Sequence, residues 1–322
     1  MNRQNVIRTL NSCAPALALL LVYSLFAVFA PPGFTSLRNI EAIVRQTTIV
    51  GIAALGMTLV IICGGIDLAV GSVIALTTVI IALLLQAGVP PLLAVAAAVA
   101  VGGFCGVLNG VLVTRLKLMP FIATLGSLLV FRGIAKGLGN EQKVEAPVTW
   151  LNELLRVLQP EHQWMLLPPG VWLLGLLSLT VFVVLRYTRF GLQVKSVGSN
   201  ESTARLCGVQ VDKLKVLVYG LSGMLAAVAG VMQFSRLTVG DPTVADGLEL
   251  DVIAAVVIGG GSLSGGRGSV VGTILGALMM TVIRSGCSQL NLLNWVQQIV
   301  AGSIIILAVT LDRLRQRSVQ AN

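Results

Sequence analysis

Apolar runs long enough to cross a membrane divide this chain from end to end. Ten of them, at about 14–30, 46–63, 67–86, 91–113, 119–135, 169–187, 214–235, 250–262, 268–284 and 294–311, follow one another with little polar sequence between most of them. A helix needs about 20 apolar residues to cross the hydrocarbon core, and only helices and closed barrels satisfy their backbone groups there. The runs therefore predict an all-α polytopic membrane protein of about ten transmembrane helices, with residues 1–322 forming a single transmembrane domain. The eighth run is short and interrupted by Gly259, Gly260 and Gly261, so nine spans is the competing count. Composition supports the same class. Only 11% of the residues are charged, against roughly a quarter in a soluble domain, and the mean hydropathy is +0.92. Arg3 and Arg8 before the run at Ala14–Ala30 imitate a signal peptide. The length of that run and the Pro31–Pro32 pair after it favour an uncleaved first span.

Orientation follows from where Lys and Arg fall. With both termini cytoplasmic, the inner segments hold 14 of the 22 basic residues and four acids, a net +10, and the outer segments come to −1. Nine spans would move the tail DRLRQR to the outside. The basic excess follows membrane topology, so the pI near 9.8 is no argument for a nucleic-acid partner. The five cysteines (Cys13, Cys63, Cys105, Cys207, Cys287) are tens of residues apart, and the single histidine, His162, has no second one to pair with. No metal, cofactor or catalytic set is expected from such spacing.

Two polar segments interrupt the apolar pattern. The outer one, about 136–168, carries Trp150, Trp164, four Glu and several Pro, and reads as an external cap. The inner one, about 188–213, contains Ser199 or Asn200 as a helix N-cap, a short helix through Glu201, Thr203, Ala204 and Leu206, and Gly208 at its C′ position. A short capped helix in a cytoplasmic loop is a docking candidate.

Several motifs carry competing readings. GGGSLSGGRGS (259–269) imitates the signature loop of ABC ATPases, but no Gly-Lys pair exists anywhere for a phosphate-cradling loop. Shifted by 197 residues, VIICGGIDLAVGSV (60–73) aligns with VIGGGSLSGGRGSV (257–270) at six of 14 positions, and paired glycine-interrupted segments are what a transporter built from repeats shows. Glycines within the spans read mainly as close helix packing. Asn109 is either interhelical glue or path lining. Asp67 sits between runs two and three and is expected in a cytoplasmic turn, where Gly64 and Gly65 end one helix and Asp67 caps the next. Arg132, Arg236 and Arg284 fall at outer span ends, where snorkelling to headgroups is preferred over a role in the path. With Asp67 and Asn109 they make up the path and gating candidates. Asp241, Asp246, Glu249 and Asp251 form an outer acidic stretch, able to contact a partner or to cap the eighth helix.

The segments GIDLAVGS (65–72), MPFIATLGSLLVFRG (119–133), GSNESTARLCGV (198–209), GLELDVIAAVVIGGGSLSGGRGSVVGT (247–273) and NWVQQIVAGSIIILAVTLD (294–312) resemble the permease subunits of ribose-type sugar ABC importers. That resemblance implies a bacterial inner-membrane subunit, similar in fold to the cobalamin-type importers and working as a homodimer or beside a related permease. A cytoplasmic ABC ATPase would drive it and a periplasmic substrate-binding protein would deliver the sugar, with Asp241, Asp246 and Glu249 as docking candidates for the latter. It also implies that residues 198–209 form the coupling helix, with Gly198, Asn200, Glu201, Ala204, Arg205 and Gly208 at its centre. Ser199 and Cys207 depart from the commoner residues at those places. The alternative is an ion-coupled secondary transporter with Asp67 as its lone candidate carboxylate. A membrane enzyme finds no support, because no paired carboxylates and no nucleophile with a base are present.

Overall fold

The computed structural model describes residues 3–157, 166–293, 295–304, 306–307 and 310. α1 (Arg3–Phe29) leads through a short turn to Ser36, whose hydroxyl accepts from the Asn39 amide at 3.3 Å and caps α2 (Leu37–Ile62). α3 (Val70–Gln86) follows a glycine break. α4 (Pro91–Thr114), α5 (Pro120–Leu138) and α6 (Pro169–Tyr187) each open on a proline, whose missing N–H would have been unpaired there in any case. Between α5 and α6 lies the two-residue strand β1 (Val144–Glu145). Then come α7 (Arg189–Ser199), α8 (Glu201–Leu206), α9 (Val211–Leu237), β2 (Val239–Gly240), α10 (Leu248–Ile258) and α11 (Val270–Gln289).

The first nine apolar runs coincide with α1–α6 and α9–α11, and residues 295–304 are helical within the tenth. His162 and the basic tail lie outside the described residues, as does part of the tenth run. Among the described residues six helices, α2, α4, α5, α6, α9 and α11, have the length and apolar composition to cross a membrane. α7 was not expected. Residues 189–199 read as loop, yet Thr188 caps them and Val194 and Val197 are buried on one face.

α2 is the centre of the bundle, with every residue from Thr47 to Cys63 buried. A helix apolar on all sides must be enclosed by others. It pairs with α11 through two hydroxyl contacts, Thr47 to Thr281 at 2.6 Å and Thr58 to Thr273 at 2.8 Å. α4 and α9 approach backbone to backbone, because a Cβ on Gly106 or Gly110 would strike the main chain at Tyr219 or Val216.

The two glycine breaks are built alike. At the end of α2, Gly64 donates to the Ile61 carbonyl and Gly65 to that of Val60, both at 2.9 Å. At the end of α10, Gly260 donates to Val257 at 2.9 Å and Gly261 to Val256 at 2.8 Å. Gly64 and Gly260 have φ of +85° and +90°, a conformation that favours glycine at such a C-cap. The structural correspondence is therefore Gly64 with Gly260, one residue earlier than the sequence alignment placed it.

The acidic stretch after α9 does not stay on the surface. β2 pairs antiparallel with β1, Val144 opposite Gly240, and the chain then descends along α3. The Asp241 amide donates to the Thr78 hydroxyl at 3.1 Å, and Ala245 and Glu249 lie against Gly71, in the first turn of α3. The cause is local. Gly240 and Gly71 have no side chains, which lets this segment lie directly on the α3 backbone. α10 thus starts level with the start of α3. Its 11 residues span about 16 Å, roughly half a bilayer core.

Candidate functional site

The α7–α8 element stands at the end of the bundle where α2 and α10 stop. Asn200 caps α8, its side-chain oxygen accepting from the Thr203 amide at 3.0 Å and from the Ser202 hydroxyl at 2.8 Å. Gly208, at φ +84°, ends it, its amide donating a hydrogen bond to the Arg205 carbonyl at 3.1 Å. Of the two caps offered by the sequence, Ser199 and Asn200, it is Asn200 that caps, Ser199 being the last residue of α7, and the stop at Gly208 is as expected.

Glu201 and Arg205 brace α8 against the foot of α9. Lys215 Nζ donates to Glu201 at 2.6 Å, while Arg205 pairs with Glu201 at 3.3 Å and with Asp212 at 3.0 Å. The bond from Lys215 holds the Glu201 carboxyl below its usual range, against an opposing effect of partial burial and with Arg205 adding to the lowering. Ala204 faces inward and is buried, whereas Leu206 is 89% exposed. A large apolar side chain on the tip of a capped helix offers an anchor for a partner groove, and sequence reasoning passed over it. Its signal was its place opposite the buried Ala204 on a short helix.

The root of this element is a joint of three segments. The Gly266 amide donates to the Ile62 carbonyl at 2.9 Å, joining the two glycine breaks. Gly198 lies between them, and a Cβ there would collide with the Ile62 oxygen and lie 2.6 Å from the Gly266 nitrogen. The stretch that imitates an ATPase signature is thus part of this joint.

The ionisable candidates sort differently from their expected places. Asp67 stands in the expected turn between α2 and α3, but that turn lies inside the bundle and Asp67 is only 2% exposed. Its Oδ1 accepts from the Ala69 amide at 3.0 Å and from Asn109 Nδ2 at 3.2 Å. The neighbouring Ile66 carbonyl accepts from Tyr219 and from Thr124, each at 3.3 Å. Tyr219 is eight residues into α9, which puts this cluster about 12 Å along that helix. The chain reaches this depth because the break at Gly64–Gly65 turns it back under Tyr219. Ala69, not Asp67, occupies the N-cap position of α3. Asn109 is 1% exposed, and its Nδ2 joins α4 to the Asp67 turn while its Oδ1 has no partner among the described residues.

Arg132 does not snorkel. Its Nη1 donates to the carbonyls of Pro242 at 3.1 Å and Val244 at 2.6 Å, tying α5 to the descending segment. Arg284 pairs with Asp251, and their side chains are 49% and 4% exposed. Arg236 is exposed at the end of α9. Of the three docking candidates only Asp246 is exposed. Asp241 is held by Thr243 at 2.7 Å and by Lys143 at 3.5 Å, and Glu249 is buried against Gly71. Gly247 at φ +75° takes the N-cap position of α10, and Glu249 and Asp251 fall in its first turn, at the positive end of the helix dipole.

Comparisons with known proteins agree over nearly the whole chain. Residues 39–309 match the family model described as branched-chain amino acid transport system / permease component. The chain is 39% identical over 303 residues to the ribose import permease RbsC of Escherichia coli K12, covering 93% of each protein. It is 37% identical over 305 residues to the ribose import permease RbsC of Bacillus subtilis 168, covering 94% of this chain and 93% of that one. With the probable ABC transporter permease YphD of Escherichia coli K12 it shares 40% identity over 320 residues, 99% of this chain and 95% of the relative. No solved structure matches the chain.

Proposed function

This chain belongs to the branched-chain amino acid transport system / permease component family, and we propose that it is the membrane permease of an ATP-driven importer for a small, ribose-like sugar. It has no chemistry of its own to perform. ATP hydrolysis falls to a separate cytoplasmic ATPase, and capture of the sugar to a periplasmic binding protein. The identity to ribose import permeases along almost the full length of both chains carries this reading. In the proposed orientation about ten helices span a bacterial inner membrane with both termini inside, and two permease copies enclose the path. α8 then docks on the ATPase through Leu206 and its exposed face, and the binding protein meets the opposite end of the bundle; Asp246, one residue before the Gly247 cap of α10, lies level with the start of α3 and is too deep to reach it. The braced, capped geometry of α8 supports that role, since a helix held to α9 by Glu201 and Arg205 can transmit a push to the joint at Gly198.

Alternating access requires differential contacts in two states, and the halved α10 beside the start of α3 is the type of broken helix that lines such paths. The test is uptake of radiolabelled ribose into liposomes holding the permease, with the ATPase inside and the binding protein outside. Uptake that requires ATP and all three proteins is expected. Uptake driven by a proton gradient with the permease alone would overturn the reading.

A further inference from the structure

A groove of about 500 Å³ runs between α4 and α9 on the outside of their seam, and the proposed function does not use it. It exists because the two backbones touch on the inner side of the seam, at Gly106 and Tyr219, and Gly103 and Gly220 present no side chains on the outer side. Its walls are apolar and face outward: Val107 is 39% exposed, Val111 37%, Leu217 51% and Met224 43%. One end is different. Arg115, at the C-cap of α4, and Lys213, in the first turn of α9, line the mouth and are both exposed. Neither is in an ion pair among the described residues; Asp212 lines the same mouth, but its carboxylate is engaged by Arg205 at 3.0 Å, so two cations there stand against one paired acid.

We propose that this groove binds an anionic phospholipid, with the headgroup phosphate between Arg115 and Lys213 and an acyl chain along Val107, Val111, Leu217 and Met224. The volume lies within the roughly 300–1,000 Å³ of small-ligand sites. Both helices belong to those with membrane-crossing length and composition, so the apolar wall faces acyl chains. Basic pockets at the ends of membrane helices select anionic headgroups. A second copy of the chain fits less well. A two-fold contact uses the same patch on both copies and would crowd the two unpaired cations against their own counterparts.

The test uses the full chain in nanodiscs of phosphatidylcholine alone or with cardiolipin or phosphatidylglycerol, read by thermal melting and by native mass spectrometry of retained lipid. The wild type should retain and be stabilised by the anionic lipids over phosphatidylcholine. In the Arg115→Gln, Lys213→Gln double variant the preference should weaken about fivefold per cation, roughly twenty-five-fold for both, with melting in phosphatidylcholine unchanged. Met224→Trp, which fills the groove and leaves both cations in place, should also release the lipid. An undiminished preference in either variant overturns the proposal. So does a disulfide-linked dimer formed in the membrane by Val111→Cys in a Cys13→Ser, Cys207→Ser background and absent from that background alone, since that would seat a second copy on the groove.

Discussion

Gly198 and Ile62 touch through their main chains at a point where neither can move aside: the Ile62 oxygen already accepts from the Gly266 amide at 2.9 Å. The root of α7–α8 is therefore wedged between the ends of α2 and α10. Gly198→Ala should shift all three segments, at a cost of about 1–3 kcal/mol for forced overpacking, and should uncouple ATP hydrolysis from uptake. Gly175→Ala, in open space on α6, is the control. Equal melting temperatures and uptake for the two variants would remove the joint from the mechanism.

Asp67 separates a structural role from proton handling. Asp67→Asn keeps an oxygen to accept from Ala69 and should support ATP-driven uptake at close to the wild-type rate. Asp67→Ala leaves the Ala69 amide and Asn109 short of a buried partner, at about 1–3 kcal/mol for each unsatisfied group. Uptake that survives in neither variant, with both proteins folded by melting, would favour a titrating role.

The ion pair between Arg284 and Asp251 is asymmetric, since only the arginine reaches the surface. Arg284→Met strands a charge inside the bundle and should destabilise by about 3–5 kcal/mol. Asp251→Asn leaves the arginine free to reach solvent or headgroups and should cost about 1 kcal/mol, the value of one ordinary hydrogen bond. Detergent melts of the two variants check the order, and the reverse order would show that the pair is not held as described.

The brace at α8 has a pH dependence of defined sign. Glu201 is held below its usual range by Lys215 first and Arg205 second, so its contribution is complete above the ordinary glutamate value and fades as pH falls through the lower folded value. Amide exchange at residues 201–207, corrected for intrinsic rates, should stay protected through pH 5 and loosen only in stronger acid. Loosening that begins near neutrality would falsify the brace.

Much of this architecture is legible in the sequence, because helices in lipid must be long, apolar and internally bonded. The cap at Asn200 and the stop at Gly208 are likewise local, written within a few residues. What escaped is set by partners far away in sequence. Asp67 is drawn inward by Asn109 and Tyr219, and nothing near position 67 encodes that. Arg132 looks like a headgroup anchor until the carbonyls of Pro242 and Val244 are brought to it from more than a hundred residues on. Residues 241–247 read as a surface loop because they are acidic, and they descend because Gly71 and Gly240 leave the α3 backbone bare. α7 was hidden by its charges, with Val194 and Val197 too few to stand out among Arg189, Lys195 and their polar neighbours.

The two hydroxyl contacts between α2 and α11 are 11 residues apart on one helix and eight on the other. A lone rung would leave the helices free to swivel about it. Two rungs, about 16 Å apart along α2, fix both rotation and sliding, although each is weak, at about 0.6 kcal/mol in a membrane setting. Their value lies in registry more than in strength: α2 and α11 are held as one plate, with the glycine breaks lying on its edge.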